Sequence, residues 1–72
     1  MSGGVNHREE IGRRIAAIRQ KRGLSLRDLA ELTGLDHSNI SKIENGRYNV
    51  GIDILGRICD ALGCRIELRE GR

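Results

Sequence analysis

The segment LTGLDHSNISKIENGR, residues 32–47, contains a glycine in a short polar turn followed by the start of a helix. Asp36 stands just before that helix, where a side-chain oxygen can accept a hydrogen bond from an unpaired backbone N–H. Ile40 and Ile43 are three residues apart and therefore predict a buried face. The preceding Gly34 predicts the end of another short helix. Two short helices joined by a glycine-containing turn indicate a helix-turn-helix.

Helical spacing continues on both sides of this segment. Ile11, Ile15 and Ile18 recur on one helical face, which predicts a first helix that ends at Gly23. Ser25 is the candidate N-cap of a second helix. The apolar residues of a predicted fourth helix are Ile52, Leu55, Cys59 and Leu62.

The end of the chain has a different period. In residues 64–69, Ile66 and Leu68 alternate with charged residues, which predicts a short strand. The rest of the chain offers no second strand to pair with it. The expected division is a disordered N-terminal tail at 1–6, a helix-turn-helix domain at 7–63, and a C-terminal dimerisation strand and tail at 64–72.

Length and charge limit the classes of function. The chain has 72 residues, which is the size of one domain. Lys and Arg number 13 against 10 Asp and Glu, so the formal net charge is +3, which suits a polyanionic partner without proving one. No apolar run approaches the roughly 20 residues of a membrane span. The start, MSGGVNHREE, lacks the apolar core of a signal peptide. We therefore expect a cytoplasmic protein with no membrane association.

The sequence offers little for catalysis. Cys59 and Cys64 are too few for a disulfide framework or a four-ligand zinc site, and we interpret them as small apolar side chains. Paired carboxylates, a glycine-rich phosphate loop and metal-ligand spacing are all missing from the sequence. We therefore expect neither an enzyme nor a cofactor or metal site.

The helix that follows the turn has a polar outward face. With Ile40 and Ile43 inward, about 100° per residue places Ser38, Lys42 and Asn45 on the opposite side. Hydroxyl, ammonium and amide groups can bind base edges or phosphates, and the unpaired N–H groups of a helix start favour phosphate. Ser, Asn and Asp also collect at helix starts in proteins of every function. This face alone therefore leaves DNA binding and simple capping both open.

The order of these features resembles the Cro/C1-type helix-turn-helix family, also called the XRE family. The matching stretches are IRQKRGLSLRDLAELTGLDHSNISKIENGR, residues 18–47, and IDILGRICDALG, residues 52–63. The resemblance implies a mostly α, lambda-repressor-like bundle of four or five short helices. A fourth helix that runs into a C-terminal strand is similar to some helix-turn-helix antitoxins, and implies one β-strand that pairs across a homodimer.

The resemblance also implies roles for individual positions. The residues implied to read bases are His37, Ser38, Asn39 and Lys42. The residues implied to hold the DNA backbone are Ser25, Arg27, Ser41, Asn45, Arg47 and Tyr48. Where the family often has a phosphate-binding Gln, this chain has Leu26, and Arg27 is the candidate replacement. Tyr48, the one aromatic residue, could equally pack on the core.

A charged pair is the next implied feature. In this family a Glu at the position of Glu44 commonly pairs with an Arg of the first helix. In this chain Arg19 stands at the position of that Arg. An exposed pair of this kind would contribute about 0–1 kcal/mol. We favour instead a partly buried brace that orients the third helix.

The lone strand predicts a dimer. Its unpaired N–H and C=O groups invite a second chain, and pairing with its own copy about a two-fold axis is the simplest closure. The residues expected at this interface are Ile58, Leu62, Cys64, Ile66 and Leu68.

The leading functional hypothesis is a sequence-specific transcriptional regulator, a repressor, that binds double-stranded DNA as a homodimer on a palindromic operator. Two alternatives stay open. One is the antitoxin of a toxin–antitoxin pair, which would bind a protein toxin and its own operator. The other is a controller protein of a restriction–modification system. The sequence alone does not discriminate among these, because the difference lies in the partner.

Overall fold

The structure, a computed structural model, describes residues 6–71, and the chain forms four helices within them. They are α1 (His7–Lys21), α2 (Leu26–Thr33), α3 (His37–Glu44) and α4 (Ile52–Leu62). The fold is therefore mostly helical, as expected. Of the predicted N-terminal tail, residues 1–5 lie outside the described residues.

Capping side chains begin the first three helices. Asn6, the last residue of the predicted tail, accepts a hydrogen bond of 3.2 Å from the N–H three residues later and starts α1. Ser25 and Asp28 cap α2 reciprocally, with bonds of 3.0 and 2.9 Å between each side chain and the other residue's N–H. Asp36 accepts from the N–H of Ser38 at 3.1 Å. The helix starts therefore follow from local chemistry.

Eight buried side chains from all four helices form the core. They are Ile15, Leu29, Ile40, Ile43, Leu55, Ile58, Cys59 and Leu62. The core residues of α2 and α3 hold these two helices against α1 and α4, so the outward face of α3 has a defined orientation.

The core corrects part of the expected dimer interface. Ile58 and Leu62 are 0% and 1% exposed within the single chain, so they have no surface left for a second copy. Cys64 also packs against the core of its own chain. Of the five expected interface residues, Ile66 and Leu68 remain exposed, at 43% and 95%.

The C-terminal segment has no regular secondary structure in the part that the structure describes, residues 64–71. The expected strand is therefore not formed in the single chain. A strand exists only when its N–H and C=O groups pair with a neighbour, and the rest of the described chain is helical or irregular.

Backbone contact brings α1 against the end of α3. A Cβ added to Gly12, in the middle of α1, would overlap the carbonyl oxygen of Ile43 and lie 2.7 Å from that of Glu44. Gly46, just after α3, has φ +73°, and a Cβ there would lie 2.5 Å from Cγ of Glu9 in α1. Only glycine allows this approach, because a methyl group at either position would occupy space already filled. No spacing rule in the sequence marks this contact.

Among the described residues, none of the helices has the length and apolar character needed to cross a membrane.

Candidate nucleic-acid interface

The two faces of α3 differ sharply in exposure. Ile40 and Ile43 are 0% and 3% exposed and anchor the helix. The side chains expected to read bases lie elsewhere on the helix: His37, Ser38 and Lys42 are exposed, and Asn39 is half-buried. The structure therefore brings these four residues together on a single eight-residue helix, whose buried face packs on the core.

The exposed start of α3 is electrostatically mixed. The hydrogen bond from Ser38 N–H lowers the pKa of the Asp36 carboxyl, so it is an anion at neutral pH. The imidazole Nδ1 of His37 lies 3.7 Å from this carboxylate. Backbone N–H groups of the first turn and the positive end of the helix dipole lie in the same region. Within α3, the positive charge that is available to an anionic partner is that of Lys42, in the last turn.

Hydrogen bonds of Thr33 and Arg57 hold the turn before α3 in place. Thr33 is 5% exposed, and its hydroxyl donates to the carbonyl of Leu29 at 2.8 Å and accepts from the N–H of Leu35 at 3.3 Å. A guanidinium N–H of Arg57 in α4 donates to the carbonyl of Thr33 at 3.4 Å. Gly34 has φ +75°, which glycine adopts without strain. These bonds fix the angle between α2 and α3.

Arg57 is not among the residues that the sequence marks as functional. Its partner is a carbonyl 24 positions away, so no local pattern marks it.

Arg19 and Glu44 are in direct contact across 25 positions of the sequence. Nε of Arg19 donates to Oε2 of Glu44 at 2.6 Å, and Nη2 donates to Oε1 at 3.0 Å. A third N–H of Arg19 donates to the carbonyl of Leu24 at 2.8 Å. The two side chains are only 12% and 8% exposed. The bond to Glu44 raises the pKa of Arg19, so the guanidinium stays charged. One guanidinium thus joins α1, the end of α3 and the loop before α2.

The candidates for holding a DNA backbone lie at two places. Ser25 and Arg27 are exposed at the start of α2, where the cap uses the acceptor side of the Ser25 hydroxyl and leaves its proton free to donate. Leu26, at the position where the family often has Gln, is half-buried against the core. It therefore packs instead of presenting a polar group, and Arg27 is the exposed donor beside it.

The second place is the end of α3 and the loop after it. Ser41 is half-buried, whereas Asn45, Arg47 and Tyr48 are exposed. The side-chain amide of Asn45 donates to the carbonyl of Ser41 at 2.8 Å, which leaves its oxygen and second N–H available. The N–H of Arg47 donates to the carbonyl of Lys42 at 2.9 Å and folds the loop back on the helix. Tyr48 is 43% exposed, so it is not a core residue.

Comparison with known proteins places this chain beside characterised helix-turn-helix proteins. A family model described as helix-turn-helix matches residues 15–68. The HTH-type transcriptional regulator PuuR of Escherichia coli strain K12 is 44% identical over 52 residues, which are 72% of this chain and 28% of that protein. The immunity repressor protein of Bacillus phage phi105 is 39% identical over 61 residues, 85% of this chain and 42% of that protein. The chain thus spans less than half the length of either relative.

The solved structure is close to this chain in extent. The restriction–modification controller protein C.AhdI of Aeromonas hydrophila superposes with a TM-score of 0.81 at 31% identity, covering 85% of this chain and 92% of that one. The fold and the arrangement of the helices are therefore those of a helix-turn-helix protein over most of the chain.

Proposed function

The chain belongs to the helix-turn-helix family, and from that premise we propose that it is a sequence-specific DNA-binding regulator of transcription, acting as a repressor. The observation that carries this proposal is α3, which is anchored on one side by Ile40 and Ile43 and exposes His37, Ser38 and Lys42 on the other. The relatives named as a transcriptional regulator and an immunity repressor support it.

The mechanism assigns separate tasks to the two sets of polar residues. The exposed face of α3 enters the major groove, where Ser38, Asn39 and Lys42 hydrogen-bond base edges and His37 reads the first bases or a neighbouring phosphate. The backbone contacts set the register. They come from Ser25, Arg27, Ser41, Asn45, Arg47 and Tyr48. The pair of Arg19 and Glu44 acts as a brace that keeps α3 at one angle to α1.

A two-fold dimer completes the proposal. Ile66 and Leu68 are exposed at the C-terminus and alternate with charged residues. Pairing of this segment with its own copy would satisfy its backbone groups and shield both side chains. It would also set two α3 helices at a fixed spacing, which suits half-sites about 34 Å apart on a palindromic operator.

A test can separate base reading from backbone binding. DNA sites are first selected from a random pool with the unaltered protein, and affinities are then measured on the selected site and on a scrambled duplex. Ser38→Ala and Lys42→Ala should weaken the selected site by about 1–3 kcal/mol and the scrambled one much less. Arg47→Ala should weaken both alike, and should reduce the slope of log affinity against log salt by about 0.9.

Lys21→Ala is the matched control, because it removes the same charge as Lys42→Ala at the exposed end of α1. It should change neither affinity nor preference appreciably. Equal losses on both duplexes for Ser38→Ala and Lys42→Ala would remove these residues from the reading set. Failure of the pool to yield any enriched site would contradict sequence-specific binding itself.

A restriction–modification controller is the second candidate, because C.AhdI matches this chain over 92% of its own length. An antitoxin is the third, with the exposed C-terminal segment as the surface that a protein toxin would occupy. The gene next to this one distinguishes them: a methyltransferase or endonuclease gene supports the controller, and a toxin gene supports the antitoxin.

A further inference from the structure

Two cysteines meet at the end of α4. Gly63 has φ +74°, and beyond it the N–H of Cys64 donates to the carbonyl of Cys59 at 2.9 Å. Bond lengths then limit the separation of the two Cα atoms to about 6.8 Å. Disulfide-bonded cysteines have Cα atoms about 4.4–6.8 Å apart, so the backbone here already lies within the range of a disulfide.

The two thiols differ in access. Cys59 is 8% exposed and belongs to the core. Cys64 is half-buried and lines an open cleft of about 410 Å³ together with Ile18, Lys21 and Arg22. Of the two thiols, Cys64 is therefore the one that a reagent in this cleft meets.

The wall of the cleft is cationic. Lys21 and Arg22 are exposed at the end of α1. The Nη2 atom of Arg22 lies 3.4 Å from the position that a Cβ on Gly63 would occupy, so this guanidinium sits beside the residue that precedes Cys64. Neither cation forms a salt bridge among the described residues. Their charge is available to an anionic molecule that enters the cleft.

We propose that Cys59 and Cys64 form a thiol–disulfide exchange site that takes a small anionic disulfide of the glutathione disulfide type. In the first step the Cys64 thiolate, after loss of its proton to solvent, attacks one sulfur of that disulfide. The S–S bond of the reagent breaks and one glutathione thiolate leaves. In the second step the Cys59 thiol loses its proton and attacks Sγ of Cys64, which expels the second glutathione. The protein loses two electrons and two protons, and the disulfide becomes two thiols.

The environment of Cys59 decides which of the two steps is slower. Burial, followed by interaction with the Cys64 side chain, raises the pKa of Cys59 to about 11. Its thiolate is therefore scarce near neutral pH, so ring closure is the slower step. The finished disulfide would link Cys64, the first residue of the C-terminal segment, to α4. It would thereby restrict the motion of residues 65–71 where they leave the helix.

The test uses the full chain, glutathione disulfide and intact-mass spectrometry under non-reducing conditions. The expected product is a monomer lighter by two hydrogens, with one peptide linkage between Cys59 and Cys64 after proteolysis. Cys59→Ala should accumulate the mixed disulfide on Cys64 and stop there. Cys64→Ser should not react. The folding of each variant is checked by circular dichroism, and the linkage in the unaltered protein stands as evidence without them.

A charge control isolates the cationic wall. Lys21→Ala with Arg22→Ala should slow the first step with glutathione disulfide about tenfold and leave the reaction with neutral 2-hydroxyethyl disulfide unchanged. Equal slowing with both reagents would overturn the role of the two cations. A mixed disulfide that persists on the unaltered protein, or a disulfide between two chains, would overturn the Cys59–Cys64 exchange site. These outcomes do not depend on DNA binding, so they are separate from the test of the regulator.

Discussion

At the scale of the residue, Gly12 allows the contact that positions α3. Replacing it with Ala would normally favour a helix by about 1 kcal/mol. Here the added methyl meets the carbonyl of Glu44 at 2.7 Å and that of Ile43 even closer, so α1 must move away from α3. Because overpacking costs about 1–3 kcal/mol, we expect Gly12→Ala to lower the free energy of unfolding by about that much. Urea denaturation measures the change.

The control is a second glycine in a helix interior. A Cβ on Gly56 in α4 meets nothing within 4 Å. Gly56→Ala should therefore raise the free energy of unfolding by about 0.5–1 kcal/mol. If both variants are stabilised, the close approach of α1 to α3 is not present in solution.

The pair of Arg19 and Glu44 is also a matter of individual residues. Each single Ala variant leaves the other side chain largely buried without its ionic partner. We expect a double-mutant cycle on stability to give a coupling energy of about 1–3 kcal/mol. The exposed pair of Glu10 and Arg14, 3.6 Å apart, is the matched control and should couple by no more than about 0.5 kcal/mol. Equal coupling in both cycles would mean that Arg19 and Glu44 form only a surface pair.

At the scale of the element, the helix starts make stability depend on pH. Hydrogen bonds to the backbone and side chain of Ser25 lower the pKa of Asp28, and bonds to Ser38 lower that of Asp36. Because these values are depressed in the folded chain, the caps contribute fully above the ordinary value of 3.8 and are lost as the pH falls below it. We expect the melting temperature to fall as the pH is lowered below this value.

Asn replacements test the origin of this dependence. Asn also caps helix starts but does not titrate. The variant with Asp28→Asn and Asp36→Asn should therefore lose less stability than the unaltered protein between neutral and acidic pH. Parallel melting curves for the two proteins across this range would assign the acid sensitivity to other carboxylates.

At the scale of the whole molecule, the C-terminal segment is the part that needs a partner. Leu68 is 95% exposed and Ile66 is 43% exposed in the single chain. We expect deletion of residues 65–72 to leave α1 to α4 folded, because their core contains none of the deleted residues. The truncated chain should sediment as a monomer and bind the selected DNA site much more weakly than the full chain.

Leu68→Glu offers a milder version of the same experiment. It should also weaken the dimer, since it places a carboxylate in the proposed interface. A truncated chain that still sediments as a dimer, with unchanged affinity, would show that another surface joins the two copies. Ile52 and Leu32, exposed at 67% and 60%, are the next apolar residues to examine in that case.

Local rules were enough to predict the four helices, the turn and the polar face of α3 from the amino-acid order. Periodicity and capping act between residues three or four positions apart, so Ser25, Asp36 and Gly34 mark their elements without reference to the rest of the chain. The same rules predicted a C-terminal strand from alternation alone. That segment is irregular in the single chain because alternation describes a strand's faces and does not supply its partner.

Tertiary structure decided the features that depend on which distant surfaces meet. Gly12 lies against the carbonyls of α3, Arg57 binds the end of α2, and Ile58 turns out to be buried in its own chain and not at a dimer interface. The pairing of Arg19 with Glu44 was inferred by likeness to a family, since 25 positions separate them. The physical reason is common to all of these features. Each interaction is made across a packed interface whose geometry follows from the combined shape of the core, and no single stretch of sequence encodes it.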